Sequence, residues 1–170
     1  IKKIKNLKLI IFSSNSNHIS HTADAILFTS LLTSHDRKYL VGEQLDISTK
    51  LNNIKIDVIS TAYIHLDGGN QSSIECVSQQ KPIDMGDQDL IVSYAHLSQH
   101  FGFKYIYLEA GSGAVNKVPP KLIKNVTTES TIPVIVGGGI KCAEDIKDYS
   151  KTNVSIIVIG NLIETDITIN

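Results

Sequence analysis

The sequence predicts an α/β fold in which parallel strands alternate with helices and curl into a TIM-type (βα)8 barrel. Three observations predict it. Short, near-continuous apolar runs alternate with segments of helical apolar spacing, the pattern of a parallel sheet covered on both faces. Six such runs can be found. Glycine clusters stand directly after the last three of them, whereas a doubly wound dinucleotide fold would carry a G-x-G-x-x-G loop after its first strand, and no such loop occurs there.

In chain order, residues 7–12 form an apolar run closed by a Ser/Asn cluster of turn formers. Residues 25–28 form a second and 56–66 a third. Asp67-Gly68-Gly69-Asn70 then reads as a turn and residues 74–77 as a returning hairpin strand. Residues 87–101 place Leu90, Ile91, Tyr94, Ala95, Leu97 and Phe101 on one helical side, with Gly102 as the stop. Strands are predicted at 104–108, 132–136 and 154–159, and helices at 119–128 and 143–149. The Pro119-Pro120 pair suits a first helical turn. With no linker, repeat or low-complexity tract, the 170 residues read as a single domain.

Composition narrows the function. The chain is 42% apolar and 19% charged, enough for a sizeable core. A formal charge of -1 gives no electrostatic case for nucleic acid. Lys2, Lys3, Lys5 and Lys8 read as a solvated helix end. Cys76 and Cys142 have no CxxC partner, so the expectation is reduced thiols in a cytoplasmic protein. No apolar run approaches the roughly 18 residues of a membrane span, which leaves peripheral contact as the expected relation to lipid.

The glycine clusters carry the functional signal. They are Tyr107-Leu108-Glu109-Ala110-Gly111-Ser112-Gly113, Gly137-Gly138-Gly139 and Gly160-Asn161. Gly111 and Gly138 are 27 residues apart and Gly138 and Gly160 are 22 apart, about one strand-plus-helix unit each. Glycine at successive strand ends lets backbone N–H groups approach an anion with no Cβ in the way, and late barrel loops commonly hold phosphate. Glu109 stands at a strand end two residues before the first of these glycines. A carboxylate there can accept hydrogen bonds from substrate hydroxyls and take a proton. Tyr107 shares its face by strand alternation.

These strings, with Ile132-Pro-Val-Ile-Val-Gly-Gly-Gly-Ile140, Ala23-Asp-Ala-Ile-Leu-Phe-Thr-Ser-Leu-Leu32 and Ile59-Ser-Thr-Ala-Tyr63, resemble the geranylgeranylglyceryl phosphate synthases and their PcrB-type bacterial relatives. The resemblance runs from about Leu7 to Glu164. It implies a Mg²⁺-dependent prenyltransferase on a (βα)8 barrel, joining the sn-3 hydroxyl of sn-glycerol 1-phosphate to a polyprenyl diphosphate in the first ether-lipid step. Tyr107, Leu108, Glu109, Ala110, Gly111, Ser112, Gly113, Gly138, Gly139, Gly160 and Asn161 would hold glycerol phosphate, with Glu109 and Tyr107 catalytic. Cytoplasmic location and a homo-oligomer are implied as well.

The family's Asp-bearing first strand and the Ser/Thr after its second have no counterpart. The match starts at the third strand, so the barrel is expected to be N-terminally incomplete, covering about strands 3 to 8. The metal ligands would lie in the missing segment, and these residues alone would be inactive. Other readings of the same glycines are a phosphosugar isomerase or lyase, or a non-catalytic remnant. His96 and His100 read as a solvated helix face, His18 and His21 as loop residues near the mouth. Ile26, Phe28, Ile59 and Tyr63 suit a prenyl channel or ordinary core alike.

Overall fold

A computed structural model of the chain describes residues 8–12 and 19–160. Six strands form one sheet in the uncrossed order β1 (Ile10–Phe12), β2 (Ala25–Leu31), β3 (Asp57–His65), β4 (Tyr105–Glu109), β5 (Val134–Gly137) and β6 (Ile156–Val158). Every pairing is parallel. The connections carry α1 (Glu43–Leu51), α2 (Ser73–Ser78), α3 (Gln88–His100), α4 (Pro120–Glu129) and α5 (Ala143–Ser150). Parallel neighbours joined in order need a crossover each time, and same-handed crossovers leave all helices on one face. Such a sheet curls toward its bare face, the geometry expected of a barrel wall.

Strand alternation sorts the side chains into two layers. On the helical side, Ile64, Ile106, Leu108, Val134 and Val136 pack against Ile91 and Ala95 of α3, Leu122, Ile123 and Val126 of α4, and Tyr149 of α5. On the other side, Leu27, Leu31, Tyr63, Tyr107 and Ile135 make an inner cluster. Tyr107 and Glu109 therefore share the inner face.

Local chemistry explains the helix ends. Asp87 caps α3 by accepting from Leu90 N–H at 3.2 Å, and Gly102 at φ +76° lets the chain leave it. Pro120 opens α4, where its missing N–H costs nothing. The buried stripe of α3 is Ile91, Ala95 and Ser98, while Leu90 and Phe101 from the expected face are exposed.

Three features differ from expectation. Residues 74–77 belong to α2 rather than to a hairpin strand. Ser72-Ser73-Ile74-Glu75 is an S-x-x-E helix start, and Ser72 Oγ accepts from Glu75 N–H at 3.1 Å. Asp67-Gly68-Gly69-Asn70 accordingly turns no hairpin; it leads toward α2, with Asp67 Oδ1 accepting from Gly69 N–H. Residues 38–51 hold an unforeseen helix, a π-helical turn Lys38–Gly42 running into α1. Strand β2 also continues to Leu31, past the run ending at residue 28.

Candidate functional site

At the C-terminal ends of β3, β4 and β5 lies a cavity of about 590 Å³. Its polar end is lined by Tyr107, Glu109, Gly111, Ser112, Gly113, Gly138, Gly139 and Gly160. Its apolar end reaches β2, the π-helical turn, α1 and α2 through Leu27, Phe28, Leu31, Tyr39, Ile47 and Ile74. The Tyr39 hydroxyl donates to Val77 C=O at 2.7 Å, linking the π-helical turn to α2 beside this end.

Glu109 is only 8% exposed. Its Oε1 accepts from Gly111 N–H at 2.8 Å, and its carboxylate accepts from the Tyr107 hydroxyl. Burial raises the Glu109 pKa, the bonds from Tyr107 and Gly111 opposing it only in part. Burial raises the Tyr107 pKa too, and the Glu109 charge adds to the shift, so the phenol stays a donor. Tyr63 packs edge-on against Tyr107 with ring centroids 5.1 Å apart, and Phe12 lies 5.8 Å from both. A carboxyl group whose pKa is raised in an apolar wall is a stronger proton acceptor than a free carboxylate.

The turn after β5 passes close over Glu109. Gly138 has φ +85° and Gly139 φ +70°, a conformation that side chains resist. A Cβ on Gly138 would lie 2.7 Å from Gly111 O and 2.9 Å from Glu109 Oε1. One on Gly139 would lie 2.8 Å from the Asn116 carbonyl oxygen and Lys117 Cα. At Gly138 and Gly139 the turns after β4 and β5 therefore meet backbone to backbone.

An ionic brace holds them from behind. Lys117 Nζ meets Asp145 Oδ1 at 2.5 Å and Asp148 Oδ2 at 3.5 Å. Asp145 Oδ2 also accepts from Lys141 N–H and Cys142 N–H at the start of α5. The Lys117 ammonium and these backbone donors lower the Asp145 pKa to about 2.

The structure thus gathers most of the expected residues around one space. Leu108 and Ala110 are set apart: both pack in the layer beneath, and Ala110 N–H is committed to Gly137 C=O at 3.0 Å. Asn161 and His18 lie outside the described residues, and His21, His96 and His100 are exposed. Ile26, Phe28 and Tyr63 line the cavity, whereas Ile59 packs against the inner cluster. Sequence reasoning passed over His65 and Ser72, whose side chains bond at 2.8 Å beside the site. The S-x-x-E start was the available signal for Ser72.

Among the described residues, no group of three or more His, Cys, Asp or Glu could hold a metal ion. No described helix is long and apolar enough to cross a membrane.

Residues 1–169 match the PcrB family. The chain belongs to that family. Among relatives of the PcrB-family chain, the geranylgeranylglyceryl phosphate synthase of Zunongwangia profunda is 39% identical over 164 residues, 96% of this chain and 70% of that protein. The synthase of Sulfolobus acidocaldarius is 42% identical over 164 residues, 95% of this chain and 62% of its own. The crystal structure of (S)-3-O-geranylgeranylglyceryl phosphate synthase from Thermoplasma acidophilum in complex with sn-glycerol-1-phosphate superposes with a TM-score of 0.89 at 38% identity. That match covers 96% of this chain and 66% of the other. The PcrB-family chain thus spans roughly two thirds of the length of these relatives.

Proposed function

We propose that this chain forms the acceptor side of a polyprenylglyceryl phosphate synthase, in which the sn-3 hydroxyl of sn-glycerol 1-phosphate attacks a polyprenyl diphosphate. The carrying observation is one cavity with two unlike ends, glycine turns and a buried carboxyl at one, apolar walls at the other. The likeness to named synthases, one of them a complex with sn-glycerol-1-phosphate, supports it. A phosphosugar isomerase, whose substrate is polar throughout, has no use for the apolar half.

Phosphate oxygens accept from N–H groups of the turns holding Ser112-Gly113 and Gly138-Gly139 and of the Gly160-Asn161 segment, the Gly111 N–H being held by Glu109. Glu109, steadied by Tyr107 and Gly111, accepts a hydrogen bond from the attacking hydroxyl and takes its proton. The glycerol oxygen forms a bond to the allylic carbon, the bond from that carbon to diphosphate breaks, and diphosphate leaves with the electron pair. Aromatic and aliphatic walls around Tyr63, Leu27 and Phe28 exclude water from that carbon. The prenyl chain extends toward α1 and α2.

Mg²⁺, expected from the resemblance, meets no group of three or more His, Cys, Asp or Glu among the described residues. Residues outside those described would hold it, where it would offset charge on the departing diphosphate. The six uncrossed strands suit one wall of a single (βα)8-barrel domain. A cytoplasmic homo-oligomer drawing its prenyl substrate from a membrane surface fits the same reading.

The test is product formation from labelled sn-glycerol 1-phosphate and geranylgeranyl diphosphate by the whole protein. Ether-linked product that vanishes in Glu109→Gln supports the proposal. Equal turnover in that variant rules out the assigned base.

A further inference from the structure

We infer that His65 is a positioning residue for the acceptor site, acting through Ser72 to set the start of α2 against the turn that carries Gly111. The inference deepens the proposed function and rests on it.

His65 ends β3, in register with Glu109 on β4. Alternation places it on the inner face with Tyr63, yet it is only 2% exposed. A buried imidazole needs a polar partner, and its Nε2 finds Ser72 Oγ at 2.8 Å. Ser72 is itself buried, lines the cavity and caps α2 through Glu75 N–H. Its backbone C=O also accepts from Cys76 N–H at 3.0 Å. One hydroxyl thus joins a strand end to a helix start.

That helix start is wedged against the carboxyl's support. A Cβ on Gly111 would lie 2.8 Å from Ser72 Cβ, and Gly111 N–H is the donor to Glu109 Oε1. Moving Ser72 therefore moves the wall against which the Glu109 donor rests. It also moves Ile74 and Val77, which α2 contributes to the apolar end. Burial lowers the His65 pKa against the opposing charges of Glu75 and Asp67, consistent with a neutral ring holding one fixed bond. His65 touches no reacting atom in this scheme; its effect is carried by Ser72.

The experiment compares the whole protein with His65→Phe, which keeps a ring but loses the bond, and His65→Gln, which restores a side-chain donor and acceptor. Hydrogen exchange at residues 75–79 is expected to quicken about tenfold in His65→Phe and to return toward wild type in His65→Gln, while residues 105–109 stay unchanged. Steady-state kinetics should show KM for sn-glycerol 1-phosphate rising about tenfold in His65→Phe, with kcat changed far less. Exchange and KM both at wild-type values in His65→Phe overturn the inference. If the wild-type protein does not turn these substrates over, the proposed function fails, and the exchange arm still decides the link from His65 to α2. If His65→Phe does not fold, Ser72→Ala carries the same exchange test. In that case the double variant with His65→Gln should be no worse than Ser72→Ala alone; additive losses overturn the coupling.

Discussion

The Tyr107 hydroxyl and the Glu109 carboxylate meet over the backbone of Gly137. A Cβ built there would lie 2.6 Å from Tyr107 Oη and 2.7 Å from Glu109 Oε2. The pair occupies the space a side chain on β5 would need, so the bare strand end belongs to the site as much as the two side chains do.

Gly137→Ala should therefore push the phenol and carboxyl apart. Overpacking of this kind costs about 1–3 kcal/mol, and turnover should fall with it. Urea unfolding measures the first and product formation the second. Unchanged values for both would mean that the pair has room to move.

Glu109→Gln should separate stability from activity. The folded pKa of Glu109 is raised, so above its unfolded pKa the unfolded chain releases a proton that the folded chain retains. Stability therefore falls as pH climbs from the unfolded value through the folded one. The variant should be more stable than wild type at pH 7, with the advantage gone at acid pH where both states are protonated. Turnover should drop about 10²- to 10⁴-fold. Melting curves across pH check the first point, and a stability difference independent of pH would contradict it.

Gly138→Val places a branched side chain at φ +85°, against Gly111 and Glu109. Inorganic phosphate or glycerol phosphate binding, followed by calorimetry, should be lost. Retained affinity would remove this turn from the anion site.

The Lys117–Asp145 brace predicts an acid signature. With its folded pKa lowered to about 2, Asp145 contributes stability that is fully present above the ordinary aspartate value. That contribution is lost as pH falls toward 2. Asp145→Asn should flatten the acid limb of a stability-versus-pH curve, and Lys117→Met should do much the same. A curve parallel to wild type in both would show the brace to be inert.

Much of this could be read from the residues. Strands β4 and β5 and helices α3 and α4 are periodic, bounded by Gly102, Pro119 and the glycine turns, and they lie near their expected places. Glu109 stood out by its place two residues before Gly111, and alternation put Tyr107 on the same face, where the structure has it. Helix α2 was misread because Ile74 and Val77 look like a short apolar strand; the Ser72 cap decides the conformation, a local bond that hydrophobicity does not report. Helix α1 buries Gln44, Ile47 and Leu51, but the π-helical turn before it shifts the period and dilutes the pattern. His65 was passed over because its bonding partner, Ser72, stands seven residues on and is brought back only by the chain's turn into α2. Leu108 and Ala110 entered the expected site as members of a motif; alternation alone would have assigned Leu108 to the helical layer.

The contact of Gly139 with Asn116 and Lys117 has an evolutionary corollary. Because main chain rests on main chain there, a side chain added at Gly139 cannot be offset by trimming one in the other turn. Drift in that corner would have to alter two segments together, which favours stasis. Diversification of ligand length should then be sought on the opposite bank, where β2, α1 and α2 present ordinary, exchangeable side chains.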